Sequence, residues 1–144
     1  MKMAIGEKLW EGKGKSGGPG FIKSIDMEGV TSMYTWTAQM KGMGKAKGVD
    51  CNLNVTGKSM MPPKGLAGSK DLGMLMTMTG DMAVVKGMAL MKMTMGKNPT
   101  SLGLWSIMSM SEKLAWVNDT IFLVTFEAMD PMWMELNVAI WEWK

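Results

Sequence analysis

The sequence predicts an all-β protein: one antiparallel, up-and-down β-barrel of about eight strands spanning residues 1–144. Three observations point there. Apolar and polar residues alternate with a period of two along most of the chain. About eight to ten such runs follow one another through short connections bearing Gly, Pro, Asn and Asp, which favours antiparallel neighbours over parallel βαβ units. The stretch Leu72–Gly96 folds back about Gly80-Asp81 and presents one face without a charge, with large side chains set opposite small ones.

Taken in order, Glu7–Lys15 alternates loosely before Ser16-Gly17-Gly18-Pro19-Gly20 breaks it. Gly12 and Gly14 share a face of this strand, where the missing side chains allow close approach of a neighbour. Phe21–Glu28 reads as a second short strand. Val30–Met43 is longer, rich in Thr, Tyr and Trp, and sets Tyr34, Trp36, Ala38 and Met40 on one face. After a turn over Gly44–Gly48 comes the cleanest alternation, Val49, Cys51, Leu53 and Val55 against Asp50, Asn52, Asn54 and Thr56. Gly57–Ser69, with Met60-Met61-Pro62-Pro63, reads as a connection or rim loop.

A two-residue turn at Gly80-Asp81 would pair Met78 with Ala83, Met76 with Val85 and Met74 with Gly87. Met74, Met76, Met78, Ala83, Val85, Gly87, Ala89, Met91, Met93 and Met95 would then share the uncharged face, turned inward. The segment 82–96 also passes a helix test, with Asp81 as cap and Gly96 as stop. Val84-Val85 and Gly87 favour strand, and a short helix or flap stays open for this segment.

Leu102–Met110 is the next strand, and Ser111-Glu112 can close a hairpin into Lys113–Val117. Ile121–Phe126 is apolar on both faces, Asp130-Pro131 turns the chain, and Met132–Trp143 is the last strand. Its two faces pose alternatives. With the tryptophan face inward, Glu135 and Asn137 join Tyr34 inside the barrel as candidate acid–base residues, since burial raises a carboxyl pKa. With Met132, Met134, Leu136, Val138 and Ile140 inward, Trp133, Trp141 and Trp143 form an outer patch suited to a homo-oligomer. The cleaner alternation favours the second.

Composition removes several classes of function. The net charge is +3, yet there is no histidine, so the usual general base and the commonest metal ligand are missing. All sixteen basic residues are lysine, so no guanidinium fork can grip phosphate; Lys41, Lys45 and Lys47 read as a solvated turn rather than a nucleic-acid footprint. Cys51 is the only cysteine and sits on an apolar face, as a buried, inert thiol would. The twenty-one methionines could offer soft ligands to Cu(I), but without a supporting His or second Cys they read as packing or ligand lining. No metal and no cofactor are expected. Neither a transmembrane helix nor the apolar core of a signal peptide is evident, so the expected location is cytoplasmic.

The organisation resembles that of small lipocalin-like barrels related to allene oxide cyclase. The resemblance rests on the Gly-rich first strands, the Tyr34–Trp36 strand followed by Gly42-Met43-Gly44, the Gly80-Asp81 hairpin, and Ser109-x-Ser111-Glu112-Lys113-Leu114-x-Trp116-x-Asn118 before a Trp-Glu-Trp end. It spans most of the chain as organisation, and no motif carries a catalytic residue across. It implies a barrel with an apolar cavity, often oligomeric, and in some members an isomerase or cyclase that works by shaping its substrate.

The expected function is therefore binding of a small apolar or lipid-like ligand in a cavity lined by methionine and aromatic residues. The expected lining is Tyr34, Trp36, Met40, Cys51, Leu53, Met74, Met76, Met78, Val85, Met91 and Met93. One alternative is a cofactor-independent isomerase or cyclase on the same scaffold. Another is a structural or oligomeric protein whose core is filled by its own methionines.

Overall fold

The computed structural model describes residues 4–17 and 21–144. Among them lie nine strands: β1 (Ile5–Ser16), β2 (Phe21–Asp26), β3 (Gly29–Gly42), β4 (Cys51–Met61), β5 (Ala67–Thr77), β6 (Met82–Lys92), β7 (Thr100–Ser109), β8 (Ile121–Ala128) and β9 (Glu135–Trp143). Each pairs antiparallel with its sequence neighbours from β3 to β9, and β9 pairs back with β1. The barrel closes where Trp10 to Ser16 of β1 pair with Gly42 to Trp36 of β3. Eight strands thus form a closed wall, and β2 extends the first half of β3 beyond it. At the closing seam a Cβ on Gly12 would strike the Gln39 carbonyl, which is why glycine stands there.

The alternation expected for Val49–Val55 holds: Cys51, Leu53 and Val55 are buried, while Asn52, Asn54 and Thr56 are exposed. The ladder also runs further than expected. β4 continues through Gly57 to Met61 and β5 begins at Ala67, so most of the anticipated rim loop is strand.

The largest correction concerns register. Segment 82–92 is strand, not helix or flap, and Ala83, Val85 and Ala89 face inward as expected. The turn before it is longer than two residues, however. The Thr77 N–H donates to the Asp81 carbonyl at 2.8 Å, and the Asp81 N–H donates to the Thr77 hydroxyl at 3.0 Å. Asp81 also accepts the Thr79 hydroxyl at 2.8 Å and the Ser111 hydroxyl at 2.6 Å, which pins the turn and holds its carboxyl below the usual range. Met76 therefore pairs with Met82, and Leu75 with Ala83. An odd shift turns a strand over, so Met74, Met76 and Met78 stand outside the barrel, and Leu75 and Asp71 stand inside.

Glu112–Asp119 is a 3-10 helix rather than the expected hairpin strand. Its spacing of three puts Leu114 and Val117 on one buried face, and Asn118 ties it to β7 by accepting the Ser109 N–H at 2.8 Å and donating to the Ser109 carbonyl at 3.0 Å. Trp116 from this helix stacks on Trp10 at 5.7 Å, with Phe122 edge-on to Trp116. The Trp10 indole donates to the Val49 carbonyl at 2.8 Å, and the 3-10 helix Gly44–Ala46 lies beside it. These groups plug one end of the barrel.

On β9 the aliphatic face points inward, as the alternation favoured: Leu136, Val138 and Ile140 are buried. Met132 and Met134 precede the strand and are exposed. The methionines do not fill the interior. Among the described residues Met40 is the one methionine in the buried core, which otherwise consists of aliphatic and aromatic side chains.

Candidate functional site

One ladder row crosses five strands in register. Tyr34 on β3 pairs with Gly57 on β4, Gly57 with Asp71 on β5, Asp71 with Gly87 on β6, and Gly87 with Trp105 on β7. The two glycines make the arrangement possible. A Cβ on Gly57 would collide with the Tyr34 ring, and one on Gly87 with the Trp105 indole. Both aromatic rings lean across a glycine toward the carboxylate between them.

Asp71 is 5% exposed. Its Oδ1 accepts the Tyr34 hydroxyl, and its Oδ2 accepts the Trp105 indole N–H at 3.2 Å. Neither partner is a cation. Burial raises the Asp71 carboxyl above its ordinary value of 3.8, against the opposing pull of those two hydrogen bonds. Burial, and then the Asp71 charge, also push the Tyr34 phenol up, so it stays a donor. A buried carboxylate without a counter-charge is costly in a fold that could place leucine there.

Around this pair the walls change character. Trp36 stacks on Trp105 at 6.1 Å, and Phe126 sits edge-on to Trp36 at 5.7 Å. The next row toward the end away from the plug runs Ser32, Ser59, Ser69, Ala89 and Gly103. Ser69 lies beside the Tyr34 hydroxyl and opposes the rise of its pKa. This mouth is walled by small side chains and hydroxyls above an aromatic floor, and Tyr34 is half-buried at its edge. The arrangement offers a hydrogen-bonding pair to the polar end of a small molecule and apolar rings to the rest.

The expected lining residues divide accordingly. Tyr34, Trp36, Met40, Cys51, Leu53 and Val85 face the interior, but Met40, Cys51 and Leu53 sit in the packed half toward the plug. Burial pushes the Cys51 thiol up to about 12, consistent with an inert core sulfur. Met91 is half-buried near the mouth, and Met93 is exposed beyond the end of β6. Met74, Met76 and Met78 are outside. Of the three acid–base candidates only Tyr34 lies inside. Glu135 is exposed, and Asn137 is on the outer face, donating to the Met129 sulfur at 3.0 Å. Trp141 is likewise outside, half-buried beneath the Lys8 ammonium at 4.9 Å, and Trp133 packs against the core. Trp143 is half-buried.

The sequence pattern alone does not single out Asp71. Its face of β5 (Ala67, Ser69, Asp71, Gly73, Leu75, Thr77) looks less apolar than the face opposite, so period-two reasoning turns it toward solvent. The available signal was the pair of in-strand glycines, Gly57 and Gly87, each facing a ring one strand away.

No family model and no curated protein matches this chain. Solved structures do resemble it. A β-barrel-like protein from Acinetobacter baumannii superposes with a TM-score of 0.83 at 14% identity, covering 100% of this chain and 98% of that one. A protein of unknown function from Clostridium acetobutylicum gives 0.83 at 9% identity, covering 100% and 99%. An enzyme from Penicillium herquei gives 0.71 at 13% identity, covering 100% and 96%. At these identities the likeness establishes the shared barrel fold.

Proposed function

We propose that the protein binds a small, largely apolar molecule carrying one hydroxyl or carbonyl group, held in the mouth of the barrel by Tyr34 and Asp71. The observation that carries this reading is the buried Asp71 carboxylate, supported by a phenol and an indole instead of a cation. Such a group costs stability, which a recognition role accounts for, and sites for small molecules pair an apolar wall with a few convergent polar groups. Trp36 and Phe126 supply the wall, and Ser69 lies beside the phenol. Native mass spectrometry after gentle purification tests it. The wild type is expected to retain a small molecule that the Asp71→Asn variant releases. Loss of the idea would follow if neither protein retained one and no apolar alcohol or ketone bound the wild type.

A second reading is favoured by the Tyr34–Asp71 hydrogen bond itself: acid–base chemistry on the bound molecule, without a cofactor. As the carboxylate, Asp71 can take the proton from a carbon next to a carbonyl. The C–H electron pair passes to the carbonyl oxygen, and the phenol hydrogen, released from Asp71, turns to donate to that enolate oxygen. The resemblance to barrels related to allene oxide cyclase is consistent with such a role. Hydrogen–deuterium exchange at the α-carbon of a bound ketone would separate the two readings. Acceleration by wild type and not by Asp71→Asn supports chemistry; equal rates leave binding alone.

A further inference from the structure

The outer wall is unlike itself on its two sides. On β3 and β4 the outward side chains include Thr35, Thr37, Gln39, Asn52, Asn54 and Thr56, a mostly polar surface, together with Lys41, Lys58 and Met60. On β5 to β7 they are mainly Leu, Met and Val. Met74, Met76, Met88, Leu90, Leu102 and Leu104 are each about two-fifths exposed or more. Register places these residues side by side: Met88 pairs with Leu104 and Leu90 with Leu102. Leu72, Val84 and Met108, exposed on the same three strands, extend this surface, and a large exposed apolar patch marks an interaction site. A groove of about 760 Å³ crosses this wall, lined by Lys58, Lys70, Met88, Leu90, Leu102 and Leu104 among others.

The charges on the outer face of β5 to β7 have one sign, and Glu127 of β8, opposite Thr100, stands at its edge. Because Asp71 turns inward, the outer face of β5 to β7 holds Lys70, Lys86 and Lys92 and no carboxylate. Lys70 stands directly opposite Lys58 on β4, a like-charged pair that is unfavourable in water and satisfied by an anion. Lys86 lies inside the apolar field, between Val84 and Met88 along its strand and next to Leu72 across the ladder. A two-fold contact with a second copy would bring these lysines together, and lysine is depleted from the centres of protein–protein interfaces. A bilayer surface suits them: acyl chains accept Met and Leu, and anionic headgroups accept ammonium groups that reach upward on long stems.

We propose that the β5–β7 wall docks on a membrane surface containing anionic lipid, with Leu and Met side chains at the acyl boundary and Lys58, Lys70, Lys86 and Lys92 on the headgroups. The proposal rests on the outer side chains and not on Tyr34 or Asp71, although Ser69, Ala89 and Gly103 border both the groove and the mouth. Vesicle flotation tests it on the full chain, with phosphatidylcholine alone and phosphatidylcholine mixed with phosphatidylserine. The wild type is expected to float with the mixed vesicles, far less with the neutral ones, and to be released by salt. Each of Lys70→Gln and Lys86→Gln should weaken binding about fivefold, and Leu90→Ser with Leu102→Ser should abolish it. These positions are on the surface, and circular dichroism melts verify that the variants stay folded. Failure to float with either vesicle overturns the proposal. So does flotation that these substitutions leave unchanged, or a dimer in light scattering that the paired leucine substitutions dissociate without any vesicle binding by the wild type.

Discussion

Each end of the barrel interior holds two tryptophans and a phenylalanine, and the two clusters are put to different uses. At the plugged end, Trp10, Trp116 and Phe122 stack with aliphatic neighbours, and the Trp10 indole is satisfied by a backbone carbonyl. At the mouth, Trp36, Trp105 and Phe126 surround a carboxylate, and the Trp105 indole is spent on it. The first cluster borders Glu142 of β9, which stands opposite Phe122; the buried Glu142 carboxylate is paired with the Lys45 ammonium at 2.7 Å, so its charge is balanced. The second gives up apolar packing for a polar pair that contributes little to holding the barrel together. Stability and recognition are thus separated along the barrel axis.

Substitutions should break that separation differently at the two ends. Trp10→Ala is expected to have the largest effect on stability, about 3–5 kcal/mol in urea unfolding, because a fully buried ring is lost. Small-molecule binding at the mouth should survive in the folded fraction. Gly57→Val should cost about 1–3 kcal/mol by displacing the Tyr34 ring, and it should remove binding, since the phenol can no longer reach Asp71. Tyr34→Phe keeps the ring but strips one hydrogen bond from a buried carboxylate, a loss of about 1–3 kcal/mol at most, with weakened binding. Comparable loss of binding from Trp10→Ala and Tyr34→Phe would mean that the two ends are not separate.

The smallest expected effect is a slope in stability with pH. The Asp71 carboxyl is raised in the folded chain, so between 3.8 and its folded value the native state holds a proton that the unfolded state has lost. Stability contributed by that proton is present below 3.8 and is lost as pH rises through the folded value. Asp81 and Asp130 are held low by hydrogen bonds and act in the opposite sense, losing stability as pH falls. Subtracting the Asp71→Asn curve from wild type isolates the Asp71 slope, which should be negative with rising pH; a flat difference would place Asp71 in water.

The same contrast explains what the sequence made legible. Elements whose faces differ sharply were readable: Cys51, Leu53 and Val55 against Asn52 and Asn54, or Leu136, Val138 and Ile140 on β9. The barrel follows from them and from the short connections. Register at Thr77–Asp81 was not readable, because it depends on hydrogen bonds from Thr79 and Ser111 that form only in the folded turn. That one shift hid the site, since it carries Met74 and Met76 outward and Asp71 inward. The plug was missed for a related reason. Lys113–Val117 is too short for its pattern to distinguish a strand from a 3-10 helix that buries Leu114 and Val117.

The separation of the two ends can be located residue by residue. Backbone amide and indole N–H shifts followed by NMR during titration with cyclohexanone, a small ring bearing one carbonyl, would report where such a molecule sits. Saturable shifts are predicted at Tyr34, Asp71 and the Trp105 indole N–H, with quiet amides around Trp10 and Leu114 and loss of the response in Asp71→Asn. Shifts confined to the outer wall, or a response that Asp71→Asn leaves intact, would contradict the site.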